Sequence, residues 1–320
     1  MLSCHQIDDI LKMKRNKMKK ALLSLLVVGI AFTTMQPSQA EDQKVLAIID
    51  SAINSNNFPQ IIHEVCFTTV KSTDPKQNMS CPNGELFMEG RGSAGITNWP
   101  TSGWSSNLFH GDAMVKSALT VNKDLKIVFI RVYNIAYNGS LLTPSDGSAI
   151  LKALEWVNSN ASKYSIDAVS VSQSGIKKTL VGVVQGPHYG CSDASIINPF
   201  KNQISMLSSL NIPTFIATGN DKQKYVGFPS CIPGAIAVGA LANEKQLEAA
   251  TNTGPELSLV ALGKASITKY NGSPTETFGT SVATAVSAAS YVSRNTFKTF
   301  GEYLESLPKI LIGSVSYRRN

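Results

Sequence analysis

Six short apolar runs set the main constraint on what this chain can fold into. They lie at 45–50, 126–133, 167–172, 213–218, 235–241 and 257–262, and they show almost no polar alternation. Strands that are buried on both faces of a sheet have this pattern, whereas strands with one solvated face alternate apolar and polar residues. The runs therefore predict a mostly parallel sheet that is covered on both sides.

Helical patterns lie between these runs. Apolar residues recur at helical spacing in two segments: Ile150, Leu151, Leu154 and Val157 in 148–162, and Phe200, Ile204, Leu207 and Leu210 in 198–211. Alternating strands and helices predict an α/β fold with a mostly parallel central sheet. Ligands of such sheets bind beyond the carboxyl ends of the strands, so we expect site residues just after the apolar runs.

The first forty residues predict an export signal. A basic stretch at 12–20 precedes a twelve-residue apolar run at 21–32, and a small-x-small pattern ends at Ala40. This arrangement is typical of a secretory signal peptide, and its apolar part is too short to span a bilayer comfortably. We predict a signal peptide at 1–40 and one large domain at 41–320, with an uncleaved membrane anchor as the alternative.

Charge and cysteine usage agree with an exported chain. The formal net charge of +7 falls to +3 for residues 41–320, because six basic and two acidic residues lie in the signal, and this balance indicates no nucleic-acid partner. Beyond Cys4 there are four cysteines, an even number that suggests two disulfides. Three pairings are open; we favour Cys66–Cys81 and Cys191–Cys231, because neighbours in sequence meet more readily. No CxxC or His-x-x-x-His spacing indicates a metal site.

Three further segments yield plain structural predictions. Residues 51–109 are rich in Asn, Gly, Ser and Pro and hold two cysteines, which indicates a partly irregular insertion closed by a disulfide. Residues 90–95 match the GxGxxG dinucleotide fingerprint, but Pro100 and Gly103 follow where a helix should begin. We therefore expect these glycines to form turns. The last residues, SVSYRRN, are expected to form a loose tail.

The stretch TETFGTSVATAVSAAS, at 275–290, contains the first candidate for chemistry. Almost all its residues are small, which indicates a helix that is buried on every side. Ser281 would lie at the start of this helix, beside free backbone N–H groups and the positive end of the helix dipole. Such a place suits a nucleophile whose reaction creates an oxyanion. The plain alternative is a buried small-residue helix with a Ser or Thr cap.

Three more polar residues lie at the edges of apolar runs. Asp50 ends the first run, where a half-desolvated carboxylate needs a partner or could cap the next segment. His110 begins a helical pattern and is one of three histidines after the signal; as a plain alternative it is a polar helix terminus. Asn220 follows the run at 213–218 and could be a turn residue or reach into a site.

Together these blocks resemble the subtilisin-like serine proteases. The Asp block of that family is similar to IIDSAI, its His-Gly block to HGDAMV, its Asn strand to IATGND and its Gly-Thr-Ser block to GTSVAT. The order and approximate spacing agree from residue 45 to 290. The resemblance implies a subtilisin-like three-layer α/β fold with a mostly parallel central sheet.

The resemblance also implies roles for individual residues. Ser281 would attack the peptide carbonyl, His110 would take its proton, and Asp50 would orient the histidine. The backbone N–H of Ser281 and the side chain of Asn220 would form the oxyanion hole. Substrate would lie along the strand end as an added β-strand. The implied substrate-binding residues are Ser170, Val171, Ser172, Gln173, Ser174, Gly175, Ala217, Thr218 and Gly219.

Several positions depart from the family pattern. Ala52 replaces the glycine after the Asp-Ser pair, Asp112 and Ala113 replace Thr-His after His-Gly, and Ala285 stands where the family has proline. None removes a catalytic group. We expect Asp112 to add negative charge near His110, which would favour the protonated imidazole.

The implied protein is an exported serine endopeptidase, periplasmic or extracellular, which acts on polypeptides through an acyl-enzyme. Only residues 41–44 separate the predicted cleavage from the first strand, which resembles relatives without a prodomain such as the A subunit of the subtilase cytotoxin. A delivery or assembly partner would fit such a toxin-like subunit. The alternative is a catalytically silent binding protein of the same fold. Relatives often hold structural calcium, but no ligand set can be assigned here.

Overall fold

The computed structural model describes residues 43–72, 79–96, 110–135, 141–142, 147–174, 179–180, 183–184, 191–268, 273–294, 297, 299–312 and 315–320. These residues belong to one structural unit, Gln43–Asn320. The predicted signal peptide, Cys4, Gly175 and parts of the predicted insertion at 51–109 lie outside the described residues.

The described residues form seventeen strands and five α-helices. The strands are β1 Val45–Asp50, β2 Ile61–Phe67, β3 Phe87–Glu89, β4 Lys126–Arg131, β5 Asn134–Ile135, β6 Leu141–Leu142, β7 Ile166–Val171, β8 Thr179–Leu180, β9 Val183–Val184, β10 Thr214–Ala217, β11 Ile236–Asn243, β12 Gln246–Leu247, β13 Leu257–Leu262, β14 Lys264–Thr268, β15 Pro274–Phe278, β16 Lys309–Ile312 and β17 Val315–Arg318. The helices are α1 His110–Val121, α2 Ser148–Tyr164, α3 Ala194–Ser209, α4 Thr280–Ser293 and α5 Phe300–Ser306.

A nine-stranded sheet forms the middle layer. Its order is β12-β11-β10-β7-β1-β4-β2-β3, and β13 also pairs with β11. Seven strands pair in parallel, whereas β3 and β12 pair antiparallel at opposite ends. All six predicted runs form strands of this sheet, which confirms the α/β prediction. Their buried, non-alternating composition follows because helices cover both faces.

The two faces of the sheet carry different helices. One apolar cluster joins the side chains of Leu46 and Ile48 to α1, α4 and α5. A second cluster joins those of Ala47 and Ile49 to α2 and α3 on the opposite face. Ten of the fourteen residues of α4 are buried, and α4 packs against α1 and five strands of the central sheet. Small side chains allow this because they let the helix backbone approach its neighbours closely.

The predicted helical faces are correct except at one position. The residues predicted for 148–162 face the core, and Phe200, Ile204 and Leu207 are buried on α3. Leu210 is 57% exposed. The reason is that α3 ends at Ser209 and Asn211 takes a left-handed conformation with φ of 60°, so the chain turns away before Leu210 can continue the face.

Both favoured disulfides are present, Cys66–Cys81 and Cys191–Cys231. The glycines at 90–95 form turns, as predicted: Gly90 and Gly92 have φ of +103° and +84°. The backbone N–H of Gly92 donates to the carboxylate of Glu64 rather than facing a ligand.

The predicted loose tail at the C-terminus is wrong. Strands β16 and β17 form an antiparallel hairpin, and the backbone N–H of Asn320 donates to the carbonyl of Val260 on β13 at 2.9 Å. The hydroxyl of Tyr303 on α5 donates to the side chain of Asn320. Edge strands offer unpaired backbone groups, and here the end of the chain satisfies part of the β13 edge.

Candidate active site

Four predicted site residues meet at the carboxyl end of the parallel sheet. Asp50 ends β1, Asn220 follows β10, and His110 and Ser281 lie in the first turns of α1 and α4. The side chains of His110, Asn220 and Ser281 line one cavity of about 250 Å³. Asp50 is fully buried and bonded to His110.

Asp50 and His110 form a close pair. The Nδ1 atom of His110 lies 2.7 Å from Oδ1 of Asp50, and the same carboxylate oxygen accepts the backbone N–H of Ser51 at 2.6 Å. Burial lowers the pKa of His110, but the charge of Asp50 and its hydrogen bond outweigh this effect and raise the pKa above its ordinary value. The imidazolium is therefore stabilised by a carboxylate that has little contact with water.

The Asp50 loop and the His110 helix are bound to each other. The backbone N–H of Gly111 donates to Oγ of Ser51 at 2.9 Å. A Cβ atom at Gly111 would lie 2.5 Å from the carbonyl oxygen of Ala52, so only glycine allows this approach. The loop that follows β1 therefore fixes the start of α1 and the position of the imidazole.

Asp112 adds a second bond between the same two segments. It is 4% exposed, and its Oδ1 accepts the backbone N–H of Asn54 at 3.1 Å. Burial raises the pKa of Asp112 to about 6, against smaller opposing effects of the Asn54 bond and the charge of Lys116. We expected the charge of Asp112 to raise the pKa of His110. The carboxylate that raises this pKa is instead that of Asp50.

Ser281 faces the wall of the cavity. Its Oγ donates to the carbonyl of Ser172 at 3.2 Å, and Oγ of Ser172 donates back to the carbonyl of Ser281 at 3.2 Å. Transfer of the Ser281 proton to His110 would therefore require the hydroxyl to leave the Ser172 carbonyl.

The side chain of Asn220 is oriented by Thr280. Its Oδ1 accepts the backbone N–H of Thr280 at 2.9 Å and the Thr280 hydroxyl at 3.1 Å. Because the amide oxygen takes both donors, the amide Nδ2 faces away from Thr280 and is available to the cavity. Gly279, with φ of +115°, allows this contact, since a Cβ there would lie 3.0 Å from Oδ1 of Asn220.

The predicted substrate-binding residues divide into two groups. The cavity is lined by Ser172, Gln173, Ser174, Ala217 and Gly219. Ser170 and Val171 lie within β7 and Thr218 follows β10; all three are fully buried and do not line the cavity. Strand β7 is flanked by β1 and β10, so its interior positions point into the cores, and only the residues after its end reach the cleft.

Three residues of the cavity were missed by the sequence reasoning. Tyr133 and Asp221 line it, and Thr280 both lines it and orients Asn220. Burial and then the charge of Asp50 raise the pKa of Tyr133 well above its ordinary value. Tyr133 ends the apolar run at 126–133 and carries no sequence signal of a site residue. Thr280 and Asp221 adjoin predicted site residues and could have been predicted for that reason.

The described part of the chain holds neither a cluster of metal ligands nor a membrane-spanning helix. Within it, no group of three or more His, Cys, Asp or Glu side chains is arranged to hold a metal ion. Also within it, no helix has the length and apolar character that a bilayer span requires.

The three-layer architecture, with a cleft at the carboxyl end of a parallel sheet, is that of the subtilisin-like proteases. Residues 105–296 match the model of the subtilase family of peptidases, and the chain belongs to this family. This confirms the family resemblance.

Two solved structures have a similar fold. The nisin leader peptidase NisP from Lactococcus lactis has a TM-score of 0.59 at 15% identity, covering 87% of this chain and 85% of its own. A lanthipeptide protease has a TM-score of 0.55 at 15% identity, covering 81% and 77%. At this identity the likeness concerns the fold. No curated protein matches the sequence.

Proposed function

We propose that this subtilase is an active serine endopeptidase in which Asp50, His110 and Ser281 form the catalytic triad. The observation that carries the proposal is the 2.7 Å bond between buried Asp50 and His110, which lines the same cavity as Ser281. A buried carboxylate that is bonded to an imidazole beside a serine is the arrangement that acyl transfer requires.

The proposed reaction begins when Ser281 leaves the carbonyl of Ser172 and its Oγ attacks the peptide carbonyl. His110 takes the hydroxyl proton and later gives it to the leaving amine, while Asp50 holds the imidazole in the correct tautomer and stabilises its charged form. An acyl-enzyme on Ser281 results, and water releases it by the same route with His110 as base.

The oxyanion would be bound by two donors. One is the backbone N–H of Ser281 at the start of α4, and the other is Nδ2 of Asn220, which the bonds to Thr280 leave directed away from Thr280. Loss of one such donor costs about 10²–10³ in kcat in comparable sites.

The polypeptide substrate would lie along residues 172–174 as an added strand. The carbonyl of Ser172 already accepts one hydrogen bond, from Ser281, and a substrate N–H could take the place of that hydroxyl. Binding of main chain would thus release the nucleophile toward His110.

Export is part of the proposal. The signal pattern at 1–40 and the two disulfides, Cys66–Cys81 and Cys191–Cys231, fit an oxidising compartment such as the periplasm or the extracellular medium. The peptidase domain would then span 41–320.

A fluorophosphonate probe tests the proposal directly. The 41–320 protein, made under oxidising conditions, should be labelled, and Ser281→Ala should abolish labelling and peptide hydrolysis while folding normally. Ser293→Ala, at the far end of the same helix, is the matched control and should label like the unmodified protein. If the folded protein neither labels nor cleaves peptides, the protease proposal is wrong, and a silent binding protein of this fold is the better account.

A further inference from the structure

The turn that carries Asn220 is bound to a second asparagine thirty-two positions later. Asn252 lies between β12 and β13 and is fully buried. Its Oδ1 accepts the backbone N–H groups of Asp221 at 2.9 Å and Gln223 at 3.0 Å. Its Nδ2 donates to the carbonyl of Thr218 at 3.1 Å. One side chain therefore bonds the backbone on both sides of Asn220.

The backbone around Asn252 strengthens this connection. The N–H of Asn252 donates to the carbonyl of Gly219 at 2.9 Å, and the N–H of Lys222 donates to the carbonyl of Ala250 at 2.8 Å. The turn at 218–223 thus lies on the segment 250–253. The turn begins at the buried residues Thr218 and Gly219 and its backbone faces the fully buried Asn252. Backbone groups on that side need partners, and an amide that both donates and accepts can supply them.

Close packing explains why Asn220 follows a glycine. Gly219 has φ of +106°, and a Cβ atom there would lie 2.5 Å from Nδ2 of Asn252. The amide of Asn252 occupies the space that a side chain at position 219 would need. The conformation of the turn and the position of Asn252 therefore depend on each other.

We propose that Asn252 is a positioning residue that sets the direction of the Asn220 oxyanion donor; this inference rests on the proposed function. Thr280 orients the Asn220 side chain, and Asn252 fixes the backbone from which that side chain extends. An oxyanion donor must be held close to its productive geometry, and a displacement of about 1 Å can cost about 10²-fold in rate.

A double-mutant cycle tests this proposal. The variants are Asn252→Ala, Asn220→Ala and the two together, and the measurements are kcat and KM for a peptide substrate and the affinity for a peptide aldehyde, whose adduct carries an oxyanion. Asn158→Ala is the matched control, because Asn158 also bonds backbone and side-chain groups but connects α2 to α3 on the opposite face. Asn158→Ala should lower the free energy of unfolding and leave kcat within about twofold of the unmodified value.

We expect Asn252→Ala to lower kcat about tenfold to a hundredfold with little change in KM, and to weaken the aldehyde by a similar factor. In the Asn220→Ala background the same change should lower kcat by less than about twofold, because the donor that Asn252 positions is already absent. The proposal would be overturned if Asn252→Ala lowered kcat equally in both backgrounds, or if it raised KM and left kcat unchanged.

Asn252→Asp covers the case in which the alanine variant does not fold. Aspartate keeps the volume and both accepting bonds, to Asp221 and Gln223. When protonated it can also donate to the carbonyl of Thr218, whereas when ionised it places an unpaired buried charge against that carbonyl. The loss of kcat relative to the unmodified protein should therefore grow as pH rises and the new carboxyl ionises, and it should again disappear without Asn220. If Asn220→Ala itself matches the unmodified protein, the proposed oxyanion role and this inference both fail, whereas additive losses refute the role of Asn252 alone.

Discussion

The two halves of the candidate active site are built in different ways. The Asp50–His110 half depends on a short charged contact between a strand end and a helix start that lie directly beside each other. The Asn220–Ser281 half depends on neutral hydrogen bonds that come from Thr280, Ser172 and Asn252. The first half is fixed by charge and burial, the second by the shape of a turn.

This difference predicts how each half fails. A change of one charged group in the first half should affect protonation and the tautomer of His110. Changes in the second half should act by displacement, so small steric additions matter as much as the loss of a functional group. The three predictions below separate these modes, from the largest expected effect to the smallest.

The largest effect is expected for Asp50→Asn. The amide would offer an N–H to Nδ1 of His110 and so favour the wrong tautomer, which lowers kcat/KM about 10⁴-fold in comparable sites. The raised pKa of His110 should also fall with the loss of the carboxylate, so the acid limb of the residual activity should move to lower pH.

Asp167→Asn is the control for this change. Asp167 lies at the other end of the sheet, where its carboxylate accepts the backbone N–H of Val45 at 2.8 Å, a bond that an amide oxygen can keep. Its kcat/KM should stay within about twofold. If Asp50→Asn keeps more than a tenth of the activity, the first half of the site does not depend on the charged contact between Asp50 and His110.

Gly279→Ala should displace the second half. The new Cβ would lie 3.0–3.2 Å from the side-chain amide of Asn220, at a backbone φ of +115° that disfavours alanine. We expect kcat to fall about tenfold to a hundredfold with an unchanged pH profile. Gly301→Ala on α5 has room for its Cβ, 3.6 Å from the nearest atom outside its chain neighbours, and should leave kcat unchanged. A shifted pH profile in Gly279→Ala would contradict the displacement mechanism.

Asp112→Asn should change stability rather than the chemistry of the site, because Asp112 bonds the backbone of Asn54 and not His110. The folded-state pKa of Asp112 is raised from 3.8 to about 6, so the folded protein binds more protons than the unfolded one between these values. Stability therefore declines as pH rises through this window, by about 3 kcal/mol when complete. Asparagine keeps the bond from Asn54 without the buried charge.

Urea unfolding at pH 3.5 and pH 8 measures this effect. The variant should gain about 3 kcal/mol at pH 8 and almost nothing at pH 3.5. Asp124→Asn changes an exposed carboxylate and serves as the control, with no comparable gain. An equal gain at both pH values would show that charge burial is not the cause.

The sequence reasoning reached six of the seven parallel strands, but not β2, and it placed the candidate site at the carboxyl edge of the sheet, because both depend on local patterns. Buried strands carry continuous apolar runs, and parallel strands bring residues at their carboxyl ends to one edge, which is where Asp50 lies. Ser281 was recognisable from the small residues of α4.

Other features had no local signal. Asn252 lies in ATNTGP, which is an ordinary turn composition, and its importance arises only from the turn at 218–223 that packs on it. The C-terminal hairpin was missed because its pairing with the β13 edge is a long-range contact between segments that are each short and weakly patterned. The contact between Ser281 and Ser172 likewise depends on two segments that are 109 positions apart.

The enclosure of α4 has a consequence for how this protein folds. The helix packs against β1, β7, β10, β11 and β13, strands that span residues 45–262, and it can be enclosed only after they have paired. Contacts of such wide sequence separation form slowly, because the loop-closure entropy is lost before the contacts can compensate for it. Ser281 should therefore reach its place late, and recovery of probe labelling during refolding should lag behind the recovery of helical circular dichroism.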